Sequence, residues 1–123
     1  MKSYTDLEQS KKLAEILPLE SADMCFNISQ RSNMPPLMTP YSKFKEFFDM
    51  DKTPDFLIPC WSLSALLELL DYPQLSKDKL GSGKEGWMVS VYPDNCRYDS
   101  CWHDNPVDAC YEMIIKLHEL KLL

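Results

Sequence analysis

Hydrophobic positions recur most regularly at the end of the chain. Over 105–123, at about 100° per residue, Val107, Cys110, Ile114 and Leu117 centre an apolar arc. Ala109, Met113 and Leu120 widen it on one side, and Tyr111 and Ile115 on the other. Only a narrow polar stripe remains, formed by Asp108, Glu112, Lys116 and Glu119, with Glu112 placed to pair with Lys116 one turn on. The start is marked as well: Asn105 is a preferred N-cap, Pro106 suits the first helical position, and Asp108 puts negative charge near the positive helix end. An arc this wide needs more than one packing partner. The helix is therefore expected at the centre of the core, with a sheet on one flank and another helix on the other.

The same patterning predicts the remaining elements. Thr5 and Glu8 read as a capping box for a helix over 5–17, with Leu7, Leu13, Ala14 and Leu17 on one face and Pro18 as its stop. Met24, Phe26 and Ile28 alternate with Asp23, Cys25 and Asn27, the period of a strand with one face inward. Leucines spread almost all round 61–70 predict a second, largely buried helix, ended by Asp71-Tyr72-Pro73 and followed by a glycine-marked loop at Gly81, Gly83 and Gly86. Segments 87–92 and 97–102 form a hairpin across Pro93-Asp94-Asn95-Cys96, read as a type I turn. Pairing Tyr92 with Arg97 gathers Trp87, Val89, Val91, Tyr98 and Trp102 on one apolar face. With the Met24 strand and a strand near Leu57, the hairpin completes one antiparallel sheet. The expected fold class is α+β: a single domain over 1–123, with three or four helices packed on a small antiparallel sheet and the C-terminal helix central to the core.

The stretch 29–59 breaks this regularity, with Pro35, Pro36, Pro40, Pro54 and Pro59 inside it. It reads as an excursion holding a short helix over 40–48, where Tyr41, Phe44, Phe47 and Phe48 recur at helical spacing. That aromatic cluster is either a flap on the core or a surface for a partner.

Charge and cysteine content narrow the chemistry. The 123 residues carry 19 acidic and 13 basic side chains, a formal charge of -6, which disfavours a phosphate-binding surface and hence nucleic acid. No apolar run approaches the roughly 20 residues that span a bilayer, so no membrane partner is expected. The N-terminal residues show no apolar signal-peptide core, and the scattered cysteines Cys25, Cys60, Cys96, Cys101 and Cys110 suit reduced thiols in a cytoplasmic setting. Cys96, Cys101, His103 and Cys110 lack a Cys-x-x-Cys knuckle, so no metal is expected. No cofactor fingerprint occurs either.

Pro59-Cys60-Trp61-Ser62-Leu63-Ser64-Ala65 resembles the cysteine-tryptophan stretch at the start of the central helix in papain-like cysteine hydrolases. The resemblance implies Cys60 as a nucleophile activated at a helix N-terminus, with His103 as base and Asp104 or Asn105 to orient it. It covers seven residues and lacks the Cys-Gly-Ser lead-in. Over longer stretches, LEQSKKLAEILPLESADM, IPCWSLSALLELL and DNPVDACYEMIIKLHELKLL resemble short proteins encoded by Bacteroides-type gut bacteria and by their phages and mobile elements. That group carries no assigned activity, so the resemblance implies a setting and no mechanism. The expected function is binding of a protein partner or a second copy, through Tyr41, Phe44 and Phe48 on the excursion and Tyr92 beside Arg97 on the outer hairpin face. A small cysteine hydrolase or transferase is the alternative.

Overall fold

The computed structural model describes residues 2–27 and 57–123. The fold is α+β, with three α-helices and two small antiparallel sheets among these residues. The chain forms two compact units, Tyr4–Ala65 and Leu66–Leu123 together with Met1–Ser3. The expected 40–48 helix lies outside the described residues. No helix among the described residues is long and apolar enough to cross a membrane.

In the Tyr4–Ala65 unit, helix α1 (Leu7–Ala14) packs on strand β2 (Leu57–Cys60), which pairs antiparallel with β1 (Met24–Asn27). The capping box of α1 is one residue later than the sequence reading placed it. The Gln9 N–H donates to Asp6 Oδ1 at 2.8 Å and the Asp6 N–H donates to Gln9 Oε1 at 3.1 Å. Thr5 cannot cap, because its hydroxyl is engaged inside the unit: it accepts the Trp61 N–H at 3.2 Å and lies 2.8 Å from Ser10 Oγ. Strand β1 departs from simple alternation. Met24 is buried as expected, but Cys25 on the other side is 0% exposed and Phe26 is half-buried against the Tyr4 ring edge. A strand covered on both sides does not need to alternate.

Helix α2 (Leu63–Glu68) is shorter than the predicted 61–70. Ser62 ends the extended chain and caps the helix, its Oγ accepting the Ala65 N–H at 3.2 Å. Asp23 holds that cap by accepting both the Ser62 N–H, at 2.8 Å, and its hydroxyl. Trp61 stays extended because its carbonyl accepts the Thr5 N–H at 2.9 Å. After Glu68 the chain tightens, with Leu69 and Leu70 N–H groups bonding the carbonyls three residues back.

In the other unit, strands β3 (Gln74–Lys79), β4 (Glu85–Val91) and β5 (Tyr98–Asp99) form an antiparallel sheet in that order. One sheet was expected; two stand among the described residues, and β3 occupies a stretch to which the sequence assigned no element. Its polar sequence hides it, since pairing to β4 and not its own hydrophobicity makes it a strand. Lys77 lies 5.2 Å from the Trp87 ring centroid and 3.1 Å from Glu85. The glycine segment is a tight turn: the Gly83 N–H bonds Leu80 O at 2.8 Å with Gly83 at φ 84, a conformation that a side chain resists.

The β4–β5 register is the predicted one, Ser90 opposite Asp99 and Val91 opposite Tyr98. Its turn differs. Asp94 (φ 53) and Asn95 (φ 64) are both left-handed, and the Cys96 N–H bonds Pro93 O at 3.0 Å. This is the primed geometry, whose twist matches a hairpin where type I would splay it. Further on, one extra residue enters the second strand, so that His103 and not Trp102 faces Trp87. Ser100 absorbs the bulge, donating its N–H to Val89 O at 2.9 Å and accepting the Val89 N–H on its hydroxyl at 3.0 Å. Trp102 leaves the predicted apolar face and is 40% exposed.

Helix α3 (Pro106–Glu119) packs on β4. Asn105 caps it as predicted, accepting the Asp108 N–H at 2.8 Å. Val107, Ala109, Cys110, Met113, Ile114 and Leu117 are buried, and burial of each large aliphatic side chain contributes about 1.5–3 kcal/mol. The helix ends earlier than the apolar arc: Leu120 is 49% exposed, and His118 is exposed as well. The Leu122 N–H bonds Leu117 O at 2.8 Å and the Lys121 N–H bonds His118 O at 3.1 Å, with Lys121 at φ 58. That is a Schellman ending with lysine where glycine is favoured. Lys121→Gly is expected to raise stability by about 0.5–1 kcal/mol, and Asn105→Ala to lower it by about 1 kcal/mol. Urea unfolding midpoints at constant slope measure both.

Candidate functional site

In the Tyr4–Ala65 unit the sequence singled out Cys60. Its side chain is 0% exposed. The thiol lies 3.6 Å from Thr5 Oγ1 and 3.4 Å from Thr5 O, in a buried polar cluster with Ser10. Burial pushes the thiol above its ordinary pKa, and hydrogen bonds from Thr5 and Ser10 offset that only in part. Cys25 is raised to about 11, by burial first and by neighbouring Cys60 second, and Cys110 to about 12 by burial alone. All five cysteines are free thiols, with Cys96 and Cys101 exposed. A buried, protonated thiol is a weak nucleophile.

His103 and Asp104 belong to the other unit, where His103 already has a partner. Its Nε2 lies 3.0 Å from Glu112 Oε1, and an ionised carboxylate only accepts, so the imidazole donates. Glu112 Oε2 accepts the Cys101 N–H at 2.9 Å. One carboxylate on α3 therefore grips the bulged segment on both sides of Trp102. Partial burial pushes the Glu112 carboxyl up, but the Cys101 amide and the His103 ring outweigh it and hold the carboxyl below its ordinary value. Glu112 is thus engaged elsewhere than with Lys116, whose Nζ donates to Asp99 O at 3.2 Å. Asp104 is exposed, and Asn105 performs the capping. Among the described residues no three His, Cys, Asp or Glu side chains converge as a metal site.

Tyr41, Phe44 and Phe48 lie outside the described residues. Tyr92 and Arg97 fall together on the side of the three-stranded sheet that carries Ser90 and Asp99. The Arg97 Nε donates to Asp99 Oδ1 at 2.9 Å, and the Ser90 hydroxyl donates to the same oxygen at 2.6 Å. Those two bonds, Ser90 first, lower the Asp99 pKa. The Tyr92 hydroxyl lies 3.4 Å from Gln74 Oε1 across the β3–β4 pair. Gln74, Ser90 and Asp99 thus form the frame of this face. The hairpin register already aligned Ser90 with Asp99; Gln74 was missed because β3 was. Tyr72, 82% exposed and left-handed at φ 49 before Pro73, adds a solvent-facing ring just ahead of β3.

No protein-family model matches the chain, and no curated protein or solved structure matches it.

The Glu112 grip has a pH signature. A carboxyl held below its unfolded pKa stabilises the fold above the ordinary glutamate range, and that contribution is lost as pH falls through the folded value. Glu112→Gln is expected to cost on the order of 1 kcal/mol at neutral pH, the figure being reduced for partial exposure. The gap to the unmodified chain should shrink towards pH 3. Chemical denaturation of both proteins across that range measures it.

Proposed function

We propose that the protein is a non-catalytic binding module, organised around α3 as its central core helix, that engages a protein partner or a second copy of itself. Its setting in this reading is the cytoplasm of a bacterial or phage and mobile-element system. The observation that carries the reading is the framed face of the three-stranded sheet: an exposed guanidinium fixed through Asp99 to Ser90, beside a tyrosine tethered to Gln74. Tyrosine and arginine held in defined rotamers anchor interfaces at low entropic cost. The burial that raises the pKa of Cys25, Cys60 and Cys110 supports binding over thiol chemistry, and the formal charge of -6 supports a protein over a nucleic-acid partner.

The test is association of the intact chain, followed by sedimentation and by cross-linking with mass-spectrometric mapping. Tyr92→Ala with Arg97→Glu should weaken association by about tenfold or more and remove cross-links to this face. Unchanged association in the double variant, with its fold intact by circular dichroism, would contradict the proposal.

A further inference from the structure

Among the described residues, the three-stranded sheet ends on β3. The bonding of β4 shows which β3 groups face outward. Trp87 donates its N–H to His103 O at 2.7 Å and accepts the His103 N–H at 2.8 Å, so both of its main-chain groups point away from β3. Val89 is committed in the same direction, to Ser100. Lys77 and Leu75, opposite these residues, are therefore non-hydrogen-bonded pairs with respect to β4, and their N–H and C=O groups point to the side of β3 that carries no strand among the described residues. Two-residue alternation extends this to Lys79, whose N–H is turned onto its neighbour, Asp78 Oδ1, at 2.8 Å.

Leu75, Lys77 and Lys79 also share one side of the strand. The edge thus offers main-chain groups in register with one apolar and two cationic side chains. Lys77 is braced over Trp87, pairs with the exposed Glu85 at 3.1 Å and is itself 47% exposed, and Lys79 is exposed with no ion pair among the described residues.

We propose that β3 receives an extended acidic segment of a partner protein as a fourth, antiparallel strand, with acidic side chains opposite Lys77 and Lys79 and an apolar one opposite Leu75. This rests on the binding reading above and names the partner's chemistry. A second copy of β3 does not fit. With 75–79 of both copies fully paired, Lys77 would meet Lys77 and Lys79 would meet Leu75, with no acid opposite either lysine. Lysines on an edge also deter unwanted pairing, and the experiment separates the two roles.

The probe is a capped heptapeptide, Thr-Glu-Thr-Glu-Thr-Val-Thr, titrated into the full chain with amide shifts and hydrogen exchange as readouts. A version with lysine in place of both glutamates is the control. The acidic peptide should bind saturably, shift and protect the Leu75 and Lys77 amides, and leave the control without effect. Lys77→Pro removes an outward N–H that β4 does not use, a change tolerated at a sheet edge, and should weaken binding by about tenfold or more. Lys77→Glu with Lys79→Glu should transfer the preference to the lysine peptide. No saturable binding at millimolar peptide, equal binding of both peptides, or indifference to both variants would show a guarded edge only and overturn the proposal. A chain that ignores the acidic peptide yet loses association through Arg97→Glu keeps the binding reading and loses the edge alone.

Discussion

The Glu112 carboxylate joins α3 to the segment Cys101-Trp102-His103, and much of the C-terminal unit depends on that tie. It accepts the Cys101 N–H and the His103 ring, which fixes the segment just past the bulge at Ser100. The bulge sets His103 opposite Trp87. Trp87, with both main-chain groups turned towards His103, leaves Lys77 to direct its own groups outward. The direction itself follows from the two-residue alternation of β4, since Val89 is already committed to Ser100 on the same side. The hairpin register, extended without a bulge, would have set Trp102 and not His103 opposite Trp87.

Elements whose signals are local were legible in the sequence. The Asn105 cap, the start of α3 and the pairing of Val91 with Tyr98 follow from residues close in the chain. The misses share a cause, competition from distant groups. Thr5 has the right spelling for a cap, but its hydroxyl serves Trp61, and Asp6 caps instead. Glu112 has Lys116 one turn away, yet a backbone amide and an imidazole are better partners for a partly buried carboxylate. Strand β3 has almost no hydrophobic period, because its stability comes from β4 and from Lys77 lying over Trp87. Of the candidate site, Tyr92, Arg97, their common face and the Ser90–Asp99 pairing could be read from register, whereas the Gln74 tether required knowledge of the third strand.

The thiols illustrate why a short string is a weak guide to chemistry. Cys60 stands before a helix, as a nucleophile would, but Ser62 is the residue that caps α2, and Cys60 ends a strand turned into the unit. Thr5 and Ser10 lie beside it there, and burial still holds the thiol above its ordinary pKa. On the C-terminal sheet, by contrast, Arg97 is held through Asp99 to Ser90, and the Tyr92 hydroxyl lies 3.4 Å from Gln74 Oε1.

The most direct measurement is the rate of iodoacetamide labelling at each cysteine in the folded protein, read by mass spectrometry from about pH 5 to pH 9. The account predicts that the exposed Cys96 and Cys101 label while the buried Cys60 stays protected throughout. Rapid labelling of Cys60 at the acid end would reveal an accessible, stabilised thiolate and contradict it.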